Sequence, residues 1–344
     1  MKKNLWLVLL LCLSMTLSAC GQKQGIEPEV TEPVTEENQQ EIQDVNEHYP
    51  VIIENYDGTG ERVEQVFEKA PERIVSNQPQ AIQLLLALGL KEKIVGACRS
   101  VGDVNEKYLD EFNSLNFISE NDSPAKEVVL DQNPDIIIGW GSTFGENTLG
   151  SVKDWHDKGI HTYLVENSVA GEDSRTLDRI YKDIENLGKI FDVEEKASKM
   201  IEDMKSKQSN VEDKVSQIAE EDRVKVLTVQ MVYENEFYAR SRRDLTTDLI
   251  TRAGAISLDD EGGKQSIENL IAINPDVLLI INRIDSPAQE KIEALKANKS
   301  LANVDAIKDE RFISVDYVDF YGGNYETMNT VERLAEGFYP DLFK

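Results

Sequence analysis

The sequence predicts an α/β protein: two Rossmann-like α/β lobes with mainly parallel sheets, joined by a single long α-helix, with a ligand cleft between the lobes. Three observations predict it. Short apolar runs alternate with helical patterns in both halves, a charged amphipathic stretch separates the halves, and one segment occurs in each. The recurring segment is Glu127, five residues, Asn133-Pro134-Asp135 and the apolar Ile136–Ile138. Its second copy is Glu268, five residues, Asn274-Pro275-Asp276 and Val277–Ile281. Proline disfavours helix at the residue before it, so each copy reads as a short helix halted there and turned into a buried strand. One such junction would mean little; two at matched offsets indicate a duplicated architecture.

The elements follow in chain order. Lys2 and Lys3 precede the apolar Leu5–Leu17 and the small residues Ser18 and Ala19, the layout of a secretory signal over residues 1–19. That apolar run is too short for a permanent membrane span. Leu17-Ser18-Ala19-Cys20 resembles a bacterial lipobox, which implies that Cys20 becomes a lipidated N-terminus. Residues 20–48 are acidic and broken by Gly25, Pro28 and Pro33, and read as a disordered tether. The first lobe is expected over 49–172. It opens with a hairpin whose Asp57-Gly58 turn joins Val51–Glu54 to Val63–Phe67. Strands are expected at Arg73–Ser76, Lys93–Ala97, Asp135–Gly139 and His161–Val165, with a helix from Pro79 closed by Gly89. From 173 to 222, Leu177, Ile180, Ile184, Leu187 and Ile190, then Ala197, Met200 and Met204, keep helical spacing, giving the linking helix in one run or two pieces. The second lobe, 223–344, has strands at Val224–Val229, Val277–Ile281 and Phe312–Val315.

Composition narrows the function. The formal charge is −27, and loss of the signal removes two lysines and no acid, so nucleic acid is excluded as a partner. Cys12 leaves with the signal and Cys20 carries the lipid, so Cys98 stands alone and no disulfide or cysteine metal site is expected. The histidines are scattered: His48 in the tether, His156 on a helix and His161 entering a strand, so no protein-held metal is expected either. Gly139, Gly141 and Gly145 after a strand, with Glu166 beyond, imitate a dinucleotide fingerprint, but the glycine spacing and the strand position are wrong. With no nucleophile elbow, Walker loop or zinc-protease motif, no catalytic residue is expected; an exported nucleotide-using enzyme is the remote rival.

An ordered series of segments then carries a resemblance. It comprises Pro71-Glu72-Arg73-Ile74-Val75-Ser76, Leu86-Ala87-Leu88-Gly89-Leu90 with Ile94-Val95-Gly96, both Glu…Asn-Pro-Asp copies, the linking helix, and Leu334-Ala335 with Tyr339-Pro340-Asp341-Leu342-Phe343. Over residues 70–344 the chain resembles the bacterial solute-binding proteins that handle ferric siderophores, cobalamin and haem. The resemblance implies a monomeric binding protein without enzymatic activity or resident cofactor. It would be anchored by lipid on the outer side of the cell membrane and would serve an ABC permease and its ATPase. It also implies that Glu127 and Glu268, one acid per lobe, dock onto transporter arginines; capping of their own helices is the alternative role.

Open α/β sheets bind ligands at the C-terminal ends of their strands. In the first lobe that rule selects Asn77, Arg99, Trp140 and Ser142; in the second, Tyr238, Arg240, Arg242, Arg243, Arg283, Asp319 and Tyr321. Five arginines in so acidic a chain suggest a positive patch for an anionic guest, with Trp140 and the tyrosines as flat walls. Competing readings pair Arg99 with Asp103, set Arg242 and Arg243 against Asp244, and pack Tyr321 into the last loop. The arginines favour an iron chelate, a ferric siderophore, over cobalamin or haem.

Overall fold

The computed structural model describes residues 48–100, 104–169 and 174–344, apart from the side chains of Phe320 and Tyr321. The signal segment, Cys20, the tether as far as residue 47, and Asp103 lie outside the described residues. Strands β1 (Val51–Tyr56) and β2 (Arg62–Phe67) form the expected antiparallel hairpin. Its turn is held by the Asp57 carboxylate, which accepts from the amides of Thr59 and Glu61 at 2.8 and 2.9 Å.

The first lobe follows, with β3 (Ile74–Ser76), α1 (Pro79–Ala87), β4 (Ile94–Cys98), α2 (Leu109–Asn113), β5 (Phe117–Ser119), α3 (Lys126–Asp131), β6 (Ile136–Gly139), α4 (Val152–His156) and β7 (His161–Leu164). Its sheet is parallel throughout, in the order β5-β4-β3-β6-β7. Ile136, Ile137 and Ile138 are fully buried, as expected of a strand covered on both faces. The hairpin shields the β7 edge through side-chain amides. Asn55 bonds both the carbonyl and the amide of Leu164, and Gln65 does the same for Thr162.

Of the two arrangements expected for the linking segment, one run or two pieces, the second is found. It is two helices, α5 (Leu177–Ile190) and α6 (Glu194–Val215), separated by a corner at which Asp192 is left-handed, with φ 56°. At the start of α5, the Leu177 amide donates to Asp248 of the second lobe; at its end, the Ile190 carbonyl accepts from Tyr49. Helix α6 starts with Lys196 beside Gly89 of the first lobe and ends with Val215 against Gly254 of the second. Both helices therefore bridge the two lobes.

The second lobe comprises β8 (Lys225–Val232), β9 (Glu236–Ala239), α7 (Leu245–Arg252), β10 (Ile256–Ser257), β11 (Gly263–Ser266), α8 (Ile267–Ile273), β12 (Val277–Asn282), α9 (Ala288–Ala297), α10 (Asp305–Lys308), β13 (Phe312–Asp316) and α11 (Thr327–Phe338). Strands β10, β8, β12 and β13 are parallel, while β9 and β11 add an antiparallel extension. One hydrophobic core runs through both lobes, joining Ile82 and Leu85 through Ile184 and Met204 to Val331 and Leu334.

The duplicated segment has a physical explanation. Asn133 and Asn274 are both left-handed, with φ of 54° and 44°, rather than extended; asparagine tolerates this better than most residues. The aspartates that follow hold the neighbouring strands. Asp135 accepts from the Glu72 and Arg73 amides just before β3, and Asp276 accepts from the Lys225 amide at the start of β8. Each copy thus registers the first strand of its own lobe.

Side chains also strap the lobes directly. Buried Glu326 accepts from Lys107 Nζ at 3.1 Å and from the Tyr108 hydroxyl at 3.0 Å, while Gln83 donates to Asp319 at 3.1 Å.

Candidate functional site

Loops from the C-terminal edges of the two sheets come together beside Trp140, which follows β6. A Cβ added at Gly322 would lie 2.8 Å from the Trp140 ring and 2.8 Å from Gln80, so only glycine lets the last loop approach this closely. Arg175, just before α5, has its guanidinium carbon 5.8 Å from the Trp140 ring centroid. Arg175 pairs with one oxygen of Asp244 at 2.9 Å, and Arg240 pairs with the other at 2.6 Å. The Arg175 amide donates to the Arg243 carbonyl, and the exposed Arg243 guanidinium makes no ion pair among the described residues. A cavity of about 430 Å³ opens here, lined by Trp140, Ser142, Ser168 and Arg175 and by the hairpin tip, residues 57–60. The tip is pressed against Phe144: a Cβ on Gly58 would come within 2.2 Å of the Phe144 carbonyl oxygen.

Of the residues chosen from sequence, Trp140 and Ser142 line this cavity, and Arg240 and Arg243 are linked to it through Asp244 and Arg175. The others are engaged elsewhere. Asn77 is buried within the first lobe, donating to the Asp122 carbonyl and to Thr143. Arg99 lies over the Phe117 ring at 3.9 Å, within 4.0 Å of Glu120. Tyr238 is exposed on β9, across from Lys264 of β11. Arg242 pairs with Asp260 and Glu261, and Arg283 forms a two-pronged pair with Asp285. Of the five arginines expected near the cleft, Arg99, Arg242 and Arg283 face local carboxylates, and Arg240 pairs with Asp244. Asp319 is buried among Gln83 and Asn324 and lines a second cavity between the lobes, of about 530 Å³, with Asn105 and Arg333. The Tyr321 side chain lies outside the described residues.

The dinucleotide-like glycines carry no phosphate cradle. Gly141–Thr143 is a single 3-10 turn with no helix start, and Glu166 is buried against Arg62 at 3.2 Å. Arg175, Asp244 and the hairpin tip were not singled out as site residues from sequence. Arg175 sits in a charged stretch that reads as the start of a helix, and Asp57-Gly58 reads as an ordinary turn.

Behind the site, Asp259 accepts from the Thr228 amide at 2.8 Å and from the Thr246 hydroxyl at 3.4 Å. Burial pushes its carboxyl from 3.8 up to about 7, partly opposed by those hydrogen bonds and by Arg240. Between these values the folded chain keeps a proton that the unfolded chain has lost. The Asp259 contribution therefore lowers folding stability as pH rises from about 4 to about 7, by up to about 4 kcal/mol. Urea midpoints at pH 5 and pH 8 should show this, and Asp259→Asn should reduce the difference; an unchanged difference in the variant would refute it.

Glu127 and Glu268 occupy equivalent places. Each is exposed in the first turn of a short helix: α3 follows β5 after a six-residue loop, residues 120–125, and α8 follows β11 directly. Its own backbone amide and the Ser266 hydroxyl hold the Glu268 carboxyl below the usual range. Val128 and Leu130 are exposed beside Glu127, and Ile271 beside Glu268.

Two α/β lobes bridged by helices, with one cavity beside Trp140 at the C-terminal edge of the first sheet and another between the lobes at Asp319, have the layout of a two-lobed solute-binding protein. The chain belongs to the periplasmic binding protein family, whose pattern matches residues 74–317. It is similar to the uncharacterized ABC transporter substrate-binding lipoprotein YvrC of Bacillus subtilis, at 25% identity over 349 residues covering 100% of both chains. It is also similar to the petrobactin-binding protein YclQ of the same organism, at 23% identity over 98% of this chain and 99% of that one. Among solved structures, a periplasmic binding protein from Veillonella parvula has the same fold, with a TM-score of 0.74 and 23% identity over 85% of this chain and 99% of that one.

Proposed function

We propose that this chain is the extracytoplasmic binding component of an ABC importer, held at the membrane by a lipid on Cys20, and that its cargo is a ferric siderophore. The cavity beside Trp140 carries the reading: a flat indole wall stands next to the guanidinium of Arg175, in a hollow lined by the first lobe, the hairpin tip and the start of the linking segment, with Arg240 and Arg243 of the second lobe linked behind it. A bulky anionic chelate needs such a surface, with area for its organic shell and forked donors for its charge. The name of YvrC supports the transport class, and that of YclQ, a petrobactin-binding protein, supports a cargo of that kind.

Trp140 supplies a reporter for the test. Trp155 is fully buried in the first lobe, and Trp6 belongs to the signal segment. Ferric hydroxamates, ferric catecholates, haem and cobalamin would each be titrated against the intact protein while tryptophan emission is followed. A saturable one-to-one response to a ferric chelate, with the chelate recovered unaltered, is expected. A response confined to haem or cobalamin would replace the cargo, and turnover of any ligand would overturn the binding role.

A further inference from the structure

We propose that His48, Asp192 and Glu194 form a site for one divalent transition-metal ion of the zinc type, placed where the chain enters the folded body and packs on the α5–α6 corner. The sequence reading put His48 in the tether. Instead, its Nε2 lies 2.7 Å from the Lys189 carbonyl oxygen, and its ring packs edge-on against Tyr49, whose hydroxyl donates to Ile190. A nitrogen that donates to a backbone carbonyl leaves the lone pair on the other one. This is the arrangement that orients histidine ligands in metal sites.

That other nitrogen, Nδ1, faces both carboxylates, at 3.3 Å from Glu194 Oε1 and 3.7 Å from Asp192 Oδ1, and all three donor atoms lie within 4.8 Å of one another. Charge-assisted hydrogen bonds would draw such pairs to about 2.7–2.9 Å. Donors arranged tetrahedrally around an ion at about 2.0–2.2 Å stand roughly 3.3–3.6 Å apart, which matches this spacing better. One imidazole with two carboxylates suits zinc and its neighbours; calcium would call for about six or more oxygens. The His48 side chain is 17% exposed and the two acids 46% and 42%, so an ion has access and water can complete its shell.

The test strips the intact chain of metal and titrates Zn²⁺ against a chromogenic competitor. One equivalent should bind, and His48→Gln and Asp192→Asn should each weaken it about tenfold or more. Asparagine suits the left-handed backbone at 192, so that variant keeps the corner. Glu195→Gln removes a neighbouring acid outside the set and should leave affinity unchanged. Equal weakening by Glu195→Gln, or wild-type affinity in both ligand variants, would reduce the effect to diffuse attraction by an acidic surface and overturn the site. Co²⁺ offers a readout that needs no variant: the wild-type chain should give visible bands stronger than those of the hydrated ion, and their absence would also overturn it.

Discussion

Replacing Glu127 and Glu268 together by arginine is expected to abolish chelate uptake while leaving chelate binding to the purified protein unchanged. Both carboxylates stand at helix starts, one on each lobe, and the docking role places the pair at the cleft mouth. A transporter seated over that mouth with the arginines that the family resemblance implies would meet one acid on each lobe, with exposed Val128, Leu130 and Ile271 alongside. Reversing both charges sets like against like across the contact, which costs several kcal/mol, on the order of a complete loss of productive docking. Neither residue lines the cavity beside Trp140 or the one between the lobes at Asp319, so affinity for cargo should hold. Uptake of labelled chelate in cells, with equilibrium dialysis of the same variant, separates the two outcomes. Retained uptake would end the docking role, and lost binding would mark the residues as structural.

The second large effect is expected at the cavity wall. Trp140→Ala and Arg175→Ala should each weaken binding of a labelled ferric chelate by at least about 1 kcal/mol, because aromatic and arginine anchors carry a disproportionate share of binding energy. Arg175→Lys should recover only part of the loss, since an ammonium offers a point charge in place of a planar fork. Arg242→Ala provides the contrast: its guanidinium is held by Asp260 and Glu261, and removing it should leave affinity within experimental error. Unchanged affinity in both Trp140→Ala and Arg175→Ala would remove the proposed site.

The architecture was legible in the sequence wherever local chemistry decides structure. The two Asn-Pro-Asp junctions announced the duplication because an asparagine turn and a strand-holding aspartate work the same way in any surroundings. Long apolar runs such as Val277–Ile281 announced buried parallel strands. The position of the corner between α5 and α6 was not marked, because Asp192 adopts a left-handed conformation without itself being glycine, and the apolar spacing continues across it. The short β5 and the β9–β11 extension carry little periodicity of their own and depend on their neighbours for pairing. For the cleft, sequence could name arginines but not their partners. Arg242 meets Asp260 from eighteen residues away, and Arg175 meets Asp244 from the other lobe. Which cations remain available is a tertiary property, so the candidate list was longer than the site.

A body whose halves are bridged by two helices, and are also laced at Glu326 and Asp319, would behave more like a mould than a trap. Cargo would fit a groove that already exists, with little of the attraction diverted into swinging large masses together. The reverse step then needs force from outside: an importer gripping the two rims could prise them apart by a small amount and spoil the fit around the indole. Tight capture and prompt hand-over would both follow from the same stiffness.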